Sequence, residues 1–306
     1  MSTATSTTNP NPPASGKGLV LYDVAFISPR EANTAAPNPW KARYALNFKG
    51  VPYHTKWVQM PDITRVRKSL GVPPCRKFAD GKDFYTLPIL TDSSTGAKIG
   101  DSFDIAHYLQ TTYADSGAGD LFPPMPEGRL HYQLSGLMAS LVPLSDRSDS
   151  EIHADYAKFQ HNVDWAFSLH AQLVSDGMRF DTELQDAIHA EFARRAGVAS
   201  FEALTVKGDE ARGKLLASLR DTLRDLALLF QSDKESTRGE EGGEKRGPFL
   251  LGDQPSHADF IVGGWLRMLS KTLPEKEWEE EVRVWYGGLF GRLHDVLQER
   301  FGEVKV

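Results

Sequence analysis

The chain has 306 residues, of which 40% are hydrophobic and 25% are charged, as is usual for a globular protein. This composition excludes collagen-like, disulfide-stapled and wholly disordered chains, and the length predicts about two domains. The formal net charge of -6 argues against a broad nucleic-acid-binding surface, so we expect no nucleic-acid partner. A single cysteine, Cys75, excludes an internal disulfide and a multi-cysteine zinc site, and it fits a reducing compartment.

The N-terminus and the hydropathy pattern predict a cytoplasmic protein. Residues 1–17 are rich in Ser, Thr, Asn and Pro, and we expect them to form a disordered tail. They lack the apolar core of a secretory signal and the arginines of a transit peptide. No apolar run approaches the roughly 20 residues needed for a membrane span, so none is expected.

The first half of the ordered chain, residues 18–114, predicts a small α/β domain. Trp40, Tyr44 and Phe48 share one stripe of a helix. Only the step between the first two strands leaves room for a parallel crossover. The predicted elements are strand Leu19–Phe26, loop Ser28–Pro39, helix Trp40–Lys49, strand Val51–Val58, short helix Pro61–Leu70, loop Gly71–Phe84, the hairpin of Leu87–Leu90 and Ala97–Gly100, and helix Ser102–Tyr113.

After a Gly/Pro-rich linker at residues 115–127, the strand signal disappears and residues 128–306 predict an all-helical domain. The charged, Gly-rich stretch at 232–247 is predicted to be a mobile insert. The predicted helices are Leu130–Leu144, Asp155–Leu173, Thr182–Ala196, Lys207–Gln231, Ser256–Lys271 and Trp278–Phe301.

Three segments of the α/β half carry possible chemistry, and each has a plain structural alternative. The segment Thr34–Lys41 precedes and begins a helix, whose N-terminus stabilises an anion or thiolate; alternatively Pro37 merely starts the helix. Ser102 either is the N-cap of the next helix, with Asp101 beside it favouring the helix dipole, or the two residues hold the amino acid headgroup of a ligand.

The third segment is Tyr85–Leu90, in which Pro88 is tolerated only at a strand's start. If the Leu87–Pro88 bond is cis, the backbone of Leu87 is free to pair with an extended peptide. Only about 5–6% of such bonds are cis, so the sequence alone favours trans. Together the three segments would supply the parts that hold a short, thiol-bearing, γ-linked peptide.

These residues resemble the cytosolic glutathione transferases. Leu87-Pro88 is similar to the family's cis-proline motif, and Asp101-Ser102 is similar to its γ-glutamyl-binding pair. The Ser-x-x-Asp capping box of that family's second domain is similar to Ser256–Asp259. The closer resemblance is to the fungal-specific FuA class, related to bacterial lignin β-etherases. It rests on the segments Pro37–Val58, Gly71–Pro74, Tyr85–Leu90 and Asp101–Tyr113, with weaker similarity at Glu191–Gly197 and Trp285–Leu293.

The resemblance implies a thioredoxin-like α/β domain followed by an all-α domain, the glutathione transferase architecture. It implies glutathione as co-substrate, no metal, a hydrophobic and aromatic electrophile as second substrate, and a homodimer. It also implies that the glutathione-binding residues are Lys41, Thr86, Leu87, Pro88, Asp101 and Ser102. For Lys41, a solvated helix lysine is an equal alternative.

One departure from the FuA class concerns the catalytic position. The class usually reads Ser-Pro-Asn, with the serine hydroxyl bonded to the glutathione sulfur, but this chain has Ala36-Pro37-Asn38. Alanine also excludes the cysteine chemistry of other relatives, and Cys75 lies far away in sequence. The remaining candidate catalytic donors are the side-chain amide of Asn38 and the hydroxyl of Thr34.

The leading hypothesis is therefore a glutathione transferase that activates the thiolate for attack on hydrophobic electrophiles. The absence of a serine at Ala36 supports an alternative, a ligand-binding protein that keeps the glutathione scaffold with little turnover. A third hypothesis is an interaction module with a transferase-like fold, supported only by the tail and the insert. Aromatic residues of the second domain should line the acceptor site, whereas Trp165 and Phe167 are expected in the core.

Overall fold

The computed structural model describes residues 18–78, 80–134, 151–231 and 247–306. The predicted tail, residues 232–246 of the predicted insert, and residues 135–144 of the helix predicted at Leu130–Leu144 lie outside the described residues. The described start of that helix, residues 130–134, is turn and coil.

The α/β half is built on a four-stranded mixed sheet in the order β2-β1-β5-β6. Strand β1 pairs parallel to β2 and antiparallel to β5, and β5 pairs antiparallel to β6. The prediction of a parallel crossover at the first step alone is confirmed for this sheet. The strands are β1 (Leu19–Val24), β2 (Tyr53–Val58), β5 (Ile89–Asp92) and β6 (Lys98–Ile99).

Two predicted loops of this half contain regular structure. The loop predicted at Ser28–Pro39 holds the short helix α1 (Arg30–Asn33), and α2 (Pro37–Phe48) begins three residues before Trp40. A proline at the first helical position explains the early start, because its fixed φ suits the first turn. The loop predicted at Gly71–Phe84 holds an antiparallel pair, β3 (Arg76–Lys77) with β4 (Asp83–Phe84). The remaining helices of this half are α3 (Ile63–Ser69) and α4 (Ser102–Thr112).

Helices are the main regular structure in the described residues of the second half, beside two isolated β-bridges, Phe249 with Gly252 and Leu251 with Gln254. The helix predicted at Trp278–Phe301 is interrupted, since Tyr286, Gly287 and Gly288 have positive φ, a conformation that glycines permit. The segments predicted at Asp155–Leu173 and Lys207–Gln231 are each two helices. The helices are α5 (Ala154–Ser168), α6 (Gln172–Ser175), α7 (Gln185–Ala196), α8 (Asp209–Thr222), α9 (Arg224–Gln231), α10 (His257–Thr272), α11 (Glu275–Glu280) and α12 (Trp285–Phe301).

The two halves join where α10 packs on α2, and glycine makes this approach possible. A Cβ atom on Gly264 would lie 2.6 Å from the carbonyl oxygen of Pro37, the first residue of α2. Helix α10 begins at the predicted capping box, in which the backbone N–H of Ser256 donates to Asp259 over 2.7 Å. The close approach of Gly264 to Pro37 fixes the N-terminus of α2 against the helical half.

The predicted fold class, a thioredoxin-like α/β domain followed by an all-α domain, is confirmed. The boundaries 18–114, 115–127 and 128–306 stay predictions. Phe167 is buried and stacks on Trp265 with ring centroids 5.3 Å apart, as expected of a core residue. Trp165 is half-buried.

Candidate functional site

A cavity of about 230 Å³ lies between the two halves. Its wall is mostly apolar, and its polar lining comes from Asn38, Arg76 and Thr86 of the α/β half and from Asp164, Ser168, Gln172, Ser175 and Arg195 of the helical half. The apolar lining comes from Val24, Phe26, Met60 and Phe84 of the α/β half, and from Val174, Met178, Phe180, Phe192, Leu204, Trp265 and Met268 of the helical half.

The first turn of α2 forms one wall of this cavity through Ala36, Pro37 and Asn38. Ala36 is the N-cap residue and supplies no side-chain hydrogen bond to the turn. Pro37 and Pro39 have no backbone N–H, so Asn38 alone carries one among the first three helical residues. Asn38 therefore has a backbone donor and a side-chain amide at the same point of the cavity wall.

The side-chain amide of Asn38 is oriented by Lys41. The Lys41 Nζ donates to Asn38 Oδ1 over 2.9 Å, and an ammonium group can only donate. The amide oxygen must therefore face Lys41, which leaves the two N–H bonds of Nδ2 directed elsewhere. In this orientation Asn38 Nδ2 is able to donate a hydrogen bond to a group other than Lys41.

Lys41 is itself held by the helical half. Its ammonium pairs with the carboxylate of Asp164 on α5, and Asp164 also accepts from Trp265 Nε1 over 2.7 Å. Lys41 has no exposed surface, so the alternative of a solvated helix lysine is wrong. Burial lowers the pKa of Lys41, and the Asp164 carboxylate opposes that shift. Lys41 thus connects Asp164 to Asn38 across the domain junction.

Thr34, the second candidate donor, is not among the cavity-lining residues. Its hydroxyl donates to Asp23 Oδ2 over 3.0 Å, and Asp23 also pairs with Arg43 over 2.7 Å. All three side chains are fully buried. Thr34 is part of this buried network because its position before α2 turns it toward β1 and away from the cavity.

The segment before Pro88 reaches the same cavity through Thr86. The Leu87–Pro88 bond is cis, as the family resemblance implies. The Thr86 carbonyl accepts from Arg67 Nη1 over 2.5 Å. Arg67 is buried, and burial lowers the pKa of its guanidinium. The nearby Asp101 carboxylate opposes that shift. Arg67 therefore links the Thr86 segment to the start of α4.

Asp101 and Ser102 are both buried at the start of α4. Asp101 Oδ1 accepts from the backbone N–H of Phe103 over 2.9 Å, so the N-cap is Asp101 and not Ser102 as predicted, and Ser102 is the first helical residue. Cys75 also lies here, with its Sγ 3.5 Å from Thr86 Oγ1 and 3.6 Å from the Gly100 carbonyl. Although Cys75 is far from Ala36 in sequence, it lies beside the predicted binding segments in the structure.

Sequence reasoning missed the helical-half residues that complete the cavity. Phe180, Phe192 and Trp265 supply its aromatic surface, and Arg195 of α7 supplies a cation. Phe192 and Arg195 fall within the Glu191–Gly197 similarity, which was the available signal. Nothing in the aromatic spacing distinguishes these residues from core residues such as Phe167.

Comparison with known families decides the assignment of this architecture. The family model described as "Glutathione S-transferase, N-terminal domain" matches residues 35–112, and "Glutathione S-transferase, C-terminal domain" matches residues 184–299. The chain belongs to the glutathione S-transferase family. The two matches include the first turn of α2, the cis-proline segment and helices α7 to α10.

Three fungal proteins are among those that this chain resembles. A glutathione S-transferase-like protein ustS of Aspergillus flavus is 27% identical, and the match covers 94% of this chain and 93% of the relative. A Ceriporiopsis subvermispora glutathione S-transferase in complex with glutathione is 26% identical with a TM-score of 0.67, covering 93% of this chain and 98% of that one. The transferase GSTFuA3 of Phanerochaete chrysosporium, 23% identical, shares the fold with a TM-score of 0.68 and coverages of 95% and 99%.

None of the helices within the described residues is long and apolar enough to cross a membrane. Within the same residues, no three His, Cys, Asp or Glu side chains group in a way that could hold a metal ion.

Proposed function

We propose that this protein is a glutathione transferase that activates the glutathione thiolate for attack on hydrophobic, aromatic electrophiles. The observation that carries the proposal is the cavity wall, in which Asn38 and Thr86 face apolar and aromatic side chains of the helical half. The fungal relative in complex with glutathione supports the same co-substrate. A homodimer stays an expectation from the family resemblance, and a cytoplasmic location stays an expectation from the N-terminal sequence.

In this proposal glutathione lies along the segment that contains the cis-proline. Its cysteinyl backbone pairs with that of Leu87, beside Thr86 and Pro88, and its γ-glutamyl end meets Asp101 and Ser102. The sulfur points at the first turn of α2. Lys41 acts through Asn38, because its ammonium is already engaged by Asn38 and Asp164.

The chemical step forms one sulfur–carbon bond. The glutathione thiol loses its proton to water, and Asn38 donates a hydrogen bond to the resulting thiolate. The thiolate attacks the electrophilic carbon, and a leaving group departs with the bonding pair when the carbon carries one. A largely apolar cavity strengthens the donor's electrostatic effect, because little water screens it.

The second candidate, a glutathione-scaffold binding protein with little turnover, is favoured by Ala36, which has no hydroxyl. Glutathione affinity by calorimetry and conjugation of 1-chloro-2,4-dinitrobenzene, measured on one sample, separate the two. Binding with turnover is the result we expect. Binding without turnover would support the second candidate, and an absence of binding would contradict both and leave the interaction module.

A further inference from the structure

Arg195 of α7 is a buried cation in the cavity wall, and its hydrogen bonding is incomplete. The residue is only 8% exposed. Its Nε donates to Glu191 Oε1 over 2.8 Å, and its Nη1 donates to the Tyr85 carbonyl over 2.9 Å. The third nitrogen, Nη2, is buried and has no partner among the described residues. A buried, unpaired donor on a charged group is costly, so a ligand that pairs with it gains affinity.

The surroundings of Arg195 favour an anion. Its guanidinium lies over the ring of Phe84 at 5.0 Å. Burial lowers the pKa of Arg195, and the positive charge of Arg76, which lines the same cavity, lowers it further. Among the described residues that line the cavity, Asp164 carries the one carboxylate, and it is engaged by Lys41 and Trp265. Glu191 is shared between Arg194 and Arg195.

The position of Arg195 points to the second substrate and away from glutathione. Of the residues assigned above to glutathione, Thr86 lines the cavity, whereas the others are not in its lining, namely Lys41, Leu87, Pro88, Asp101 and Ser102. Arg195 is in that lining, together with Phe84 and Phe192. An aromatic compound that fills the apolar part of the cavity would therefore bring a substituent to the guanidinium.

We propose that Arg195 is the anion-binding residue of the acceptor site, and that the electrophiles this transferase uses are aromatic compounds bearing a carboxylate. The contact is made through Nη2, because Nε and Nη1 are already engaged. This inference rests on the proposed function. The binding experiment described below distinguishes a failure of the inference from a failure of the proposed function.

The test compares 4-chloro-3,5-dinitrobenzoate with its methyl ester, two probes that share one electrophilic carbon. Arg195→Met should lower kcat/KM for the acid by about 10- to 100-fold, the value of one charge-assisted hydrogen bond. The ester should change by less than about threefold. Arg194→Met is the matched control, because Arg194 adjoins Arg195, binds the same Glu191 and does not line the cavity; its acid-to-ester ratio should equal that of the unmodified protein.

The binding arm uses 3,5-dinitrobenzoate and its methyl ester, which have no chloride to lose, with quenching of tryptophan fluorescence as readout. Trp265 lines the cavity and makes this signal available. The unmodified protein should bind the acid more tightly than the ester, and this preference needs no variant to be tested. Acid-selective binding without turnover of either chloro compound would support the inference and contradict the transferase proposal.

Three results would overturn the inference. The first is equal or weaker binding of the acid by the unmodified protein. The second is an acid-to-ester ratio that Arg195→Met leaves unchanged. The third is a loss of glutathione affinity in Arg195→Met as large as the loss for the acid, which would place Arg195 at the glutathione carboxylate.

Discussion

Residue 36 of this chain is alanine, whereas the FuA enzymes that the chain resembles usually have a serine, with its hydroxyl group, at this position. One hydrogen bond to a charged group contributes about 1.5–3 kcal/mol, which corresponds to roughly one to two pKa units of a thiol. The Asn38 amide, held with its N–H groups away from Lys41, can supply one such bond. A single well-oriented donor is therefore enough to replace the missing hydroxyl.

This reasoning predicts the outcome of Ala36→Ser. We expect the conjugation rate with 1-chloro-2,4-dinitrobenzene to rise by less than about tenfold, because Asn38 already stabilises the thiolate. The unfolding free energy should increase by about 1 kcal/mol, since serine is a better N-cap than alanine. Ala171→Ser, which adds a hydroxyl to the same cavity from the helical half, should leave the rate unchanged. A gain above tenfold for Ala36→Ser would mean that the hydroxyl, and not Asn38, is the main activator.

At the scale of elements, the packing of α10 on α2 positions the first turn of α2, which carries Asn38. A Cβ atom added to Gly264 would meet the Pro37 carbonyl oxygen at 2.6 Å and Lys41 Cγ at 3.1 Å. The first of these contacts is backbone, so α2 itself must move. Movement of Pro37 carries the adjacent Asn38 with it.

We therefore predict that Gly264→Ala lowers the unfolding free energy by about 1–3 kcal/mol through overpacking and also lowers kcat/KM for conjugation. Gly213→Ala is the control, because Gly213 is an exposed residue of α8 with nothing within 4 Å of an added Cβ. That change should stabilise the protein by about 1 kcal/mol through helix propensity. Urea titrations and steady-state kinetics measure both effects, and full activity in Gly264→Ala would contradict the positioning role of this contact.

Local patterns predicted the strands of the main sheet, the order of the two halves and the positions of most described helices, but not α1, the β3–β4 pair or the breaks within three of the predicted helices. Helical stripes such as Trp40, Tyr44 and Phe48, and the capping box at Ser256, are properties of neighbouring residues. Contacts across the domain junction join residues that are far apart in sequence, as Lys41 and Asp164 are, which are separated by 123 positions. The cavity aromatics were unpredictable for the same reason, because burial against another domain selects the same residue types as the core.

At the scale of the whole molecule, His257 couples stability to pH. It lies at the start of α10 beneath Phe103 and Phe122, is fully buried, and has no hydrogen-bond partner on either ring nitrogen among the described residues. Burial, with a smaller contribution from the nearby Lys41 charge, lowers the pKa of His257 from 6.5 to about 3. The folded protein therefore holds this ring neutral, whereas the unfolded chain binds a proton below pH 6.5.

The contribution of the neutral His257 ring to the free energy of unfolding is therefore fully present above pH 6.5. It is lost as the pH falls toward the folded-state pKa of about 3. We predict a loss of about 1.4 kcal/mol per pH unit between pH 6 and pH 4 from this residue. His257→Phe should remove that share of the slope in urea titrations at several pH values. His54→Gln, at an exposed position of β2, should retain the slope of the unmodified protein. An unchanged slope in His257→Phe would show that the ring is not held neutral by the fold.

The most direct measurement of the central claim is the pKa of the glutathione thiol bound to the protein, followed by the ultraviolet absorbance of the thiolate. A free thiol has a pKa of about 8.5. The account predicts a bound value about one to two units lower, and a return toward 8.5 in Asn38→Ala. Gln172→Ala, which removes another amide from the cavity wall, should keep the lowered value. A bound thiol that titrates like the free one, or one whose lowered pKa survives Asn38→Ala, would contradict the account.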